Sequence, residues 1–290
     1  MTILNGKEIA QQIRAELRQE VEARIARGRR APRLGIVIVG HNPASETYVS
    51  NKIKACAEVG IVAEKIAFED VITEKELLRK IDTLNQDPTI DGFIVQLPLP
   101  KHINEQTITS AIDYRKDVDG LTPENVGRTA QGLHSIVSAT PRGIRELLAR
   151  YDIPTDGKHV VVIGRSNIVG KPMASLLMQK HERGNATVTL CHTHTHNLKA
   201  ICQTADIIIV AVGQPRFLTA DMVSEHTTVI DVGITREVDE TLPRGYRLVG
   251  DVDFEAVAPK CDYITPVPGG VGPMTIVSLL QNTLQASEMK

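Results

Sequence analysis

Short apolar runs rich in valine and isoleucine alternate with amphipathic stretches along most of this 290-residue chain, and they do so in two blocks. No other feature restricts the fold as strongly. Strands that alternate with helices form parallel βαβ units, with the helices covering the sheet faces. In the first block, Ile9, Ile13, Leu17, Val21 and Ile25 recur every fourth residue and mark one face of a long helix that Gly28 ends. "RLGIVIVG" then reads as a buried strand, "PASETYVSNKIKACAEVG" as a helix stopped by Gly60, and "IVAEKIAF" as a strand. "TEKELLRKIDTLNQDP" opens on a Thr-x-x-Glu helix start, "IDGFIVQLPLP" is a strand broken by Pro98 and Pro100, and "INEQTITSAID" is helical.

The segment from Asp113 to Gly143 has weaker periodicity and many turn residues, and is expected to be an interdomain region. The pattern then restarts. "HVVVIG", "ATVTLC", "DIIIVAVG" and "TTVIDVG" are strands, with "VGKPMASLLMQKH" and "NLKAICQTA" as helices among them. "YRLVGDVD" and "CDYITPVPGGVGPMT" supply further strand ends, and "MTIVSLLQNTLQAS" is a closing helix. The fold class expected is α/β in two domains, an N-terminal parallel βαβ domain and a Rossmann-like nucleotide domain with a cleft between them.

Composition narrows the function. The formal net charge is −2 and there is no long basic tract, which argues against a nucleic-acid partner. Arg24, Arg27, Arg29, Arg30 and Arg33 cluster where the first helix should end, and cations there complement the helix dipole; the alternative is an RNA patch. No apolar run approaches the ~20 residues of a membrane span. The N-terminus has no apolar signal core and carries Glu8, Glu16 and Glu20, so a cytoplasmic protein is expected. Cys56, Cys191, Cys202 and Cys261 form no C-x-x-C pair and read as reduced thiols rather than as a zinc or redox site.

"VVVIGRSNIVGKP", Val160 to Pro172, carries the clearest site signal. A P-loop needs four residues between its glycines and a hydroxyl residue after the lysine. Here five lie between Gly164 and Gly170, and Pro172 follows Lys171. The G-x-G-x-x-G fingerprint also fails, because Ser166 holds the place of its second glycine. The setting still suits a dinucleotide, since a strand leads in and a helix N-terminus with free amides leads out; a plain strand-to-helix turn is the alternative. The next strand ends in Cys191, His192, Thr193 and His194 without the acid that binds a ribose diol, while Arg165 is placed to meet a 2′-phosphate. That combination favours NADP over NAD. The alternating His192, His194 and His196 would share one face if the strand continued. They fall at a strand end without a carboxylate, so a polar loop near the ribose is preferred to a metal site.

In the first block, Tyr48 and Lys52 lie one helical turn apart, where a phenol can steer the proton of an amine. An ordinary surface lysine beside a packed tyrosine has the same spacing. Gln96 sits at the carboxyl end of a strand, where sites lie in such sheets. "KDVDG" offers Asp117, which can cap a turn or bind a ligand, and Asp119, whose carboxylate can grip paired N–H donors. "PVPGGVGPMT" lets backbone approach a flat ligand closely.

Taken in order, "YVSNKIKAC", "VQLPLP", "KDVDG", "NVGR", "ATPRG", "VVVIGRSNIVGKP", "ATVTLCHTHT", "ADIIIVAVG", "VIDVGI", "GDVDF" and "TPVPGGVGPMT" resemble the FolD family, the bifunctional methylenetetrahydrofolate dehydrogenase/cyclohydrolases, over nearly the whole chain. The resemblance implies NADP-dependent oxidation of 5,10-methylenetetrahydrofolate to the methenyl form, then hydrolysis to 10-formyltetrahydrofolate. It implies a folate-binding catalytic domain over residues 1–138, joined by the C-terminal helix 270–290, and an NADP-binding domain over 139–269. Lys52 matches the lysine needed for hydrolysis, Gln96 the glutamine that tunes it, Tyr48 the residue that orients the folate, and Asp119 the acid on the pterin. Val49, Ser50, Asn51, Val95 and Leu97 flank them on the substrate side. Pro266, Pro268, Gly269, Gly270, Val271, Gly272, Pro273 and Met274 match the folate-side wall. Gly164, Arg165 and Ser166 match the NADP turn, Thr193 a hydroxyl at the phosphate, and Ile234 a further cofactor contact. No metal is implied, and the partners are tetrahydrofolate derivatives and a second copy of the chain, in a homodimer through the nucleotide domain.

Two departures stand out. Ser138-Ala139 replaces the family's Pro-Cys, and Thr193 replaces a serine common in relatives. Two other functions fit parts of the pattern: a dehydrogenase without the hydrolytic step, and a non-catalytic nucleotide- or metal-binding regulator using the histidine run.

Overall fold

The run "RLGIVIV" forms the middle strand of a small parallel sheet, because β-branched side chains suit a strand buried on both faces. The computed structural model describes residues 1–242 and 245–289; Lys290, the last residue of the helix expected over 270–290, lies outside them. The chain divides into two compact units. A small-sheet unit holds Gln11–Ala139 and the chain from Ile276 onward, and a large-sheet unit holds Met1–Ala10 and Thr140–Thr275.

In the small-sheet unit, β2 (Arg33–Val39) pairs in parallel with β3 (Val62–Phe68) on one side and β4 (Gly92–Val95) on the other. Helix α1 (Gly6–Ala26) begins in the other unit and continues into this one. Helices α2 (Pro43–Val59), α3 (Glu74–Gln86), α4 (Glu105–Ser110) and α5 (Pro123–Ala130) follow in turn. Thr73 and Glu76 form the full capping box that the sequence signalled for α3. Val37, Val39, Leu77, Ile81, Phe93 and Ile108 pack together in the core.

Of the arginine cluster near the end of α1, Arg24 lies in the helix's last turn, and Arg24, Arg29, Arg30 and Arg33 also make specific ion pairs. Arg30 grips the buried Asp91 with both terminal nitrogens, at 2.6 and 2.8 Å, and Arg33 donates its backbone N–H to the same carboxylate at 2.8 Å. Arg24 and Arg29 both pair with Glu288 at the end of α10 (Val271–Glu288). Within α10, the fully buried Asn282 donates to the carbonyls of Val118 and Val137 at 2.8 and 2.9 Å, so this helix holds the "KDVDG" loop from behind.

The large-sheet unit contains, among the described residues, a six-stranded parallel sheet. From one edge its strands are β1 (Thr2–Ile3), β11 (Cys261–Ile264), β8 (Thr227–Asp231), β7 (Ile207–Val210), β5 (His159–Ile163) and β6 (Thr187–Cys191). Helices α6 (Ala139–Arg150), α7 (Gly170–Leu177), α8 (Leu198–Cys202) and α9 (Phe254–Val257) accompany it. Its strand order reverses between β5 and β7, the switch point at which such sheets bind ligands.

Two sequence expectations change here. Residues 1–10 belong with this sheet rather than with the first block, because β1 pairs with β11 and Leu4 N–H donates to the Ile264 carbonyl at 2.8 Å. "YRLV" does not join the sheet: β10 (Tyr246–Val249) pairs antiparallel with β9 (Thr235–Val238) in a separate two-stranded ribbon. The segment expected to be interdomain contains α5, capped by Thr122 with Pro123 in its first turn, and the start of α6.

All four cysteines are unpaired and buried. Burial pushes the thiols of Cys56, Cys202 and Cys261 up to about 12, and raises that of Cys191. Among the described residues no helix is long and apolar enough to cross a membrane.

Candidate active site

In the small-sheet unit, the Asn42 side chain accepts from the Ser45 N–H at 3.1 Å and starts α2. Val49, Cys56 and Val59 bury one face of this helix, which leaves Tyr48 exposed at 44% and Lys52 half-buried on another. Gln96 extends the β4 ladder by one step, its N–H donating to Val37 O at 2.8 Å. Its side-chain amide is fixed at both ends. Nε2 donates to the Leu97 carbonyl at 2.8 Å, so Oε1 must face the lysine, and it accepts from Lys52 Nζ at 3.1 Å. The next peptide bond, Leu97–Pro98, is cis.

The "KDVDG" loop separates its two acids. Asp117 is buried and accepts from Gly120 N–H at 2.9 Å, Thr122 N–H at 2.7 Å and Asn125 Nδ2 at 3.1 Å. All its acceptors serve the turn into α5, which resolves its two readings in favour of the cap. Asp119 is left half-buried. Burial raises its pKa above the ordinary carboxylate range, and the positive charge of Lys52 opposes that shift. Gly120 is required here, with φ of 70° and a Cβ position only 2.5 Å from Ser138 N.

The structure thus brings Lys52, Gln96 and Asp119 together, with Tyr48 one turn along α2. Val49 and Val95 are different. Their side chains are buried in the core, at 1% and 3% exposure, so only their backbone can meet a substrate. Ser50 and Asn51 are exposed, and Leu97 is half-buried.

In the large-sheet unit, β5 is followed directly by Gly164, whose φ is 114°. A Cβ there would lie 2.2 Å from the Ala211 carbonyl oxygen, and one at Gly170 would lie 1.9 Å from the Gly164 oxygen. Only glycines allow strand, turn and helix to approach so closely. Ser166 Oγ accepts from Val169 N–H at 3.1 Å and braces the turn, while Lys171 Nζ donates to Asn167 rather than reaching forward. Arg165 is exposed.

β6 stops at Cys191, and the histidine run forms a turn in which Thr195 N–H donates to the His192 carbonyl at 2.8 Å. The three imidazoles therefore do not share a strand face. Desolvation, then the charges of Arg165 and His194, lower the His192 pKa. Among the described residues no group of three or more His, Cys, Asp or Glu is arranged to hold a metal ion. Gly164, Arg165, His192, Thr193, Val212 and Phe217 line part of a concavity of about 470 Å³. A cationic side chain, a hydroxyl and a glycine turn with no carboxylate at the β6 end fit a phosphorylated dinucleotide.

The 266–274 segment also belongs to this unit. Gly270 N–H donates to Pro266 O at 2.9 Å, Gly269 has φ of 109°, and the Val267–Pro268 bond is cis. Val271 and Met274 are buried at 4% and 0%, because α10 begins here and packs them inward. The accessible part of the segment is Pro266, Val267, Pro268, Gly269, Gly272 and Pro273.

Ile234 is 48% exposed just past β8. Beside it lie two carboxylates to which sequence reasoning gave no role. Asp231 accepts from Gly233 N–H and Asp251 N–H at 2.9 Å each and from Val252 N–H at 3.0 Å; Asp251 Oδ2 accepts from Val212 and Gly213 N–H at 2.7 and 2.9 Å. The available signal was an acid at the end of an apolar run, flanked by glycine, in both "VIDVG" and "LVGDV".

Comparison with known proteins adds to this geometry. Residues 4–119 match the model of the tetrahydrofolate dehydrogenase/cyclohydrolase catalytic domain, and residues 138–290 match that of its NAD(P)-binding domain. The chain is 60% identical over 286 residues to the bifunctional protein FolD of Porphyromonas gingivalis, covering 99% of this chain and 97% of that protein. The crystal structure of the bifunctional FolD of Campylobacter jejuni is similar with a TM-score of 0.93 and 46% identity, covering 100% of this chain and 99% of that one. The Trypanosoma brucei FolD, complexed with NADP cofactor and inhibitor, is similar with a TM-score of 0.92 and 37% identity, covering 99% and 97%.

Proposed function

This chain belongs to the tetrahydrofolate dehydrogenase/cyclohydrolase family, and from that premise we propose which of its side chains carry each of two reactions. It is a bifunctional folate enzyme. It oxidises 5,10-methylenetetrahydrofolate to the methenyl form with NADP, and hydrolyses that to 10-formyltetrahydrofolate. Bound NADP takes up the hydride that leaves the methylene carbon. The chain itself supplies position, charge and a route for protons.

The hydrolytic step is assigned to Lys52. Water adds to the cationic methenyl carbon, the bond from that carbon to N5 breaks, and both protons leave the water oxygen, one ending on N5 and one released to solvent. Lys52 Nζ relays the proton that passes from the water oxygen to N5. The contact that carries this reading is the 3.1 Å bond to Gln96 Oε1, since a fixed carbonyl acceptor holds the amine in one place. Asp119 accepts from the paired N–H groups at the pterin edge, a geometry that a carboxylate matches well. Tyr48 offers the exposed face of its ring to the folate. On the other unit, Gly164 and Ser166 shape the turn that receives phosphate, Arg165 and Thr193 recognise the 2′-phosphate, and Ile234 packs on the cofactor.

Lys52→Met tests the assignment. Methenyl hydrolysis should fall by about 10³-fold, the range for losing a proton-transfer group, while the melting temperature stays within a degree or so of wild type. Unchanged hydrolysis would overturn the role of Lys52. The reading extends to a cytoplasmic homodimer formed through the nucleotide unit. The unpaired cysteines support that compartment, and the exposed Val238 on the β9–β10 ribbon supports a covered face there. Sedimentation velocity at micromolar concentration reads the oligomeric state.

A further inference from the structure

We propose that Asp231 and Asp251 are positioning residues for the nicotinamide half of the cofactor, their buried carboxylates fixing the strand-end loops on which that half rests. The inference depends on reading this unit as the NADP-binding one. In a doubly wound sheet the dinucleotide lies across the carboxyl ends of the strands at the switch point, here between β5 and β7. The turn after β5 receives phosphate, and Arg165 and Thr193 lie on the β5–β6 side. The other half of the molecule must therefore extend over the loops that follow β7 and β8.

Those loops are held by the two carboxylates. Asp251 Oδ2 takes both amides of the β7 loop, Val212 and Gly213, and Val212 lines the concavity. Asp231 takes the amide of Gly233, directly before Ile234, and also the Asp251 N–H, so the two acids form one connected unit. Asp231 N–H donates in turn to Thr265 Oγ1 at 2.7 Å, which ties in the end of β11.

Two glycines are fitted to this pair. A Cβ on Gly233 would lie 2.3 Å from Asp251 Cγ, and one on Gly250 would lie 1.9 Å from Asp231 Oδ2. Asp251 is fully buried, and its Oδ1 has no hydrogen-bond partner among the described residues. Two carboxylates buried in contact with one network, one oxygen unmatched, cost more than an amide or hydroxyl cap would. Such costs are found where a site must be kept rigid. Every hydrogen bond that the two carboxylates accept comes from a backbone amide, so the role assigned to them is exerted through backbone.

The bifunctional enzyme contains its own control, because hydrolysis uses no nicotinamide. Wild-type enzyme is assayed first for both reactions; failure to reduce NADP would overturn the functional reading and leave this inference without its premise. With wild type active, Asp251→Ala should weaken NADP binding by about tenfold or more, read as an equilibrium Kd by calorimetry without folate. It should cut dehydrogenase kcat/KM by about 100-fold and leave methenyl hydrolysis within about twofold. Hydrogen exchange at Val212 and Gly213 should quicken by at least about tenfold. Asp251→Asn keeps one carbonyl acceptor for those amides and should lose only about tenfold, again in the dehydrogenase alone. The proposal is overturned if both variants keep NADP Kd and dehydrogenase within twofold of wild type, or if both lose the two activities in parallel. A selective loss in Asp251→Asn supports it even where Asp251→Ala fails to fold.

Discussion

The two units build their sites from different materials. In the small-sheet unit the site is made of side chains that reach one another: Lys52 to Gln96, with Asp119 near enough to feel the lysine's charge. In the large-sheet unit it is made of backbone, shaped by Gly164 and Gly170 and braced by Ser166, Asp231 and Asp251. The difference follows from the chemistry each performs. A proton must be held at one atom that can give it up, which takes a titratable side chain on a rigid support. A dinucleotide needs an extended surface of fixed amides, which takes a chain path that most residues cannot follow. Substitutions of the small-sheet site's side chains should therefore remove activity and spare the fold, whereas substitutions at the glycines that shape the large-sheet site should disturb both.

Gly164→Ala gives the sharpest contrast with Lys52→Met. The left-handed φ and the overlap with the Ala211 oxygen should together destabilise the protein by about 4 kcal/mol and abolish measurable NADP binding. Urea unfolding and calorimetry check both, and an alanine variant of wild-type stability would break the comparison. The next effect appears in pH. Burial pushes the Asp231 carboxyl up to about 6 from 3.8. The folded chain thus holds this proton more tightly than the unfolded one, so stability is greatest at low pH and is lost as pH rises between those values. About 3 kcal/mol is at stake. The difference between wild type and Asp231→Asn, followed by urea unfolding from pH 4 to 7, should show that slope and be flat above it. Smallest is Arg165→Ala. An exposed, salt-screened contact to a 2′-phosphate should be worth about tenfold in NADP Kd with NAD binding unchanged; a parallel loss for both nucleotides would make Arg165 a general phosphate contact.

Much of this was legible in the sequence because it rests on local rules. Strand and helix periods gave the two sheets, and Thr73 with Glu76 gave a cap. The spacing of Tyr48 and Lys52 gave one helix face. What could not be read depends on partners far along the chain. β1 is two residues long and acquires meaning only beside β11. The arginines near the end of α1 complement its dipole by position alone, but their ion pairs with Asp91 and Glu288 depend on residues distant in the chain. Asp117 and Asp119 are two residues apart in one loop, and only the turn geometry decides which of them is consumed by backbone amides. The histidine run had a strand's spacing but no strand beneath it. The part played by Asp231 and Asp251 is hidden in the sequence, which marks an acid without showing how many amides converge on it.

The buried thiols equip the molecule with its own reporters. Cys56 lies in the small-sheet unit, one turn beyond Lys52, whereas Cys191, Cys202 and Cys261 lie in the large-sheet unit. With no access to reagent and with protonation strongly favoured, none of them should react in the closed protein at neutral pH. Alkylation at Cys56 then times the opening of one unit and alkylation at the other three times the opening of its neighbour, so mass spectrometry on unmodified protein can ask whether the two halves breathe together or apart.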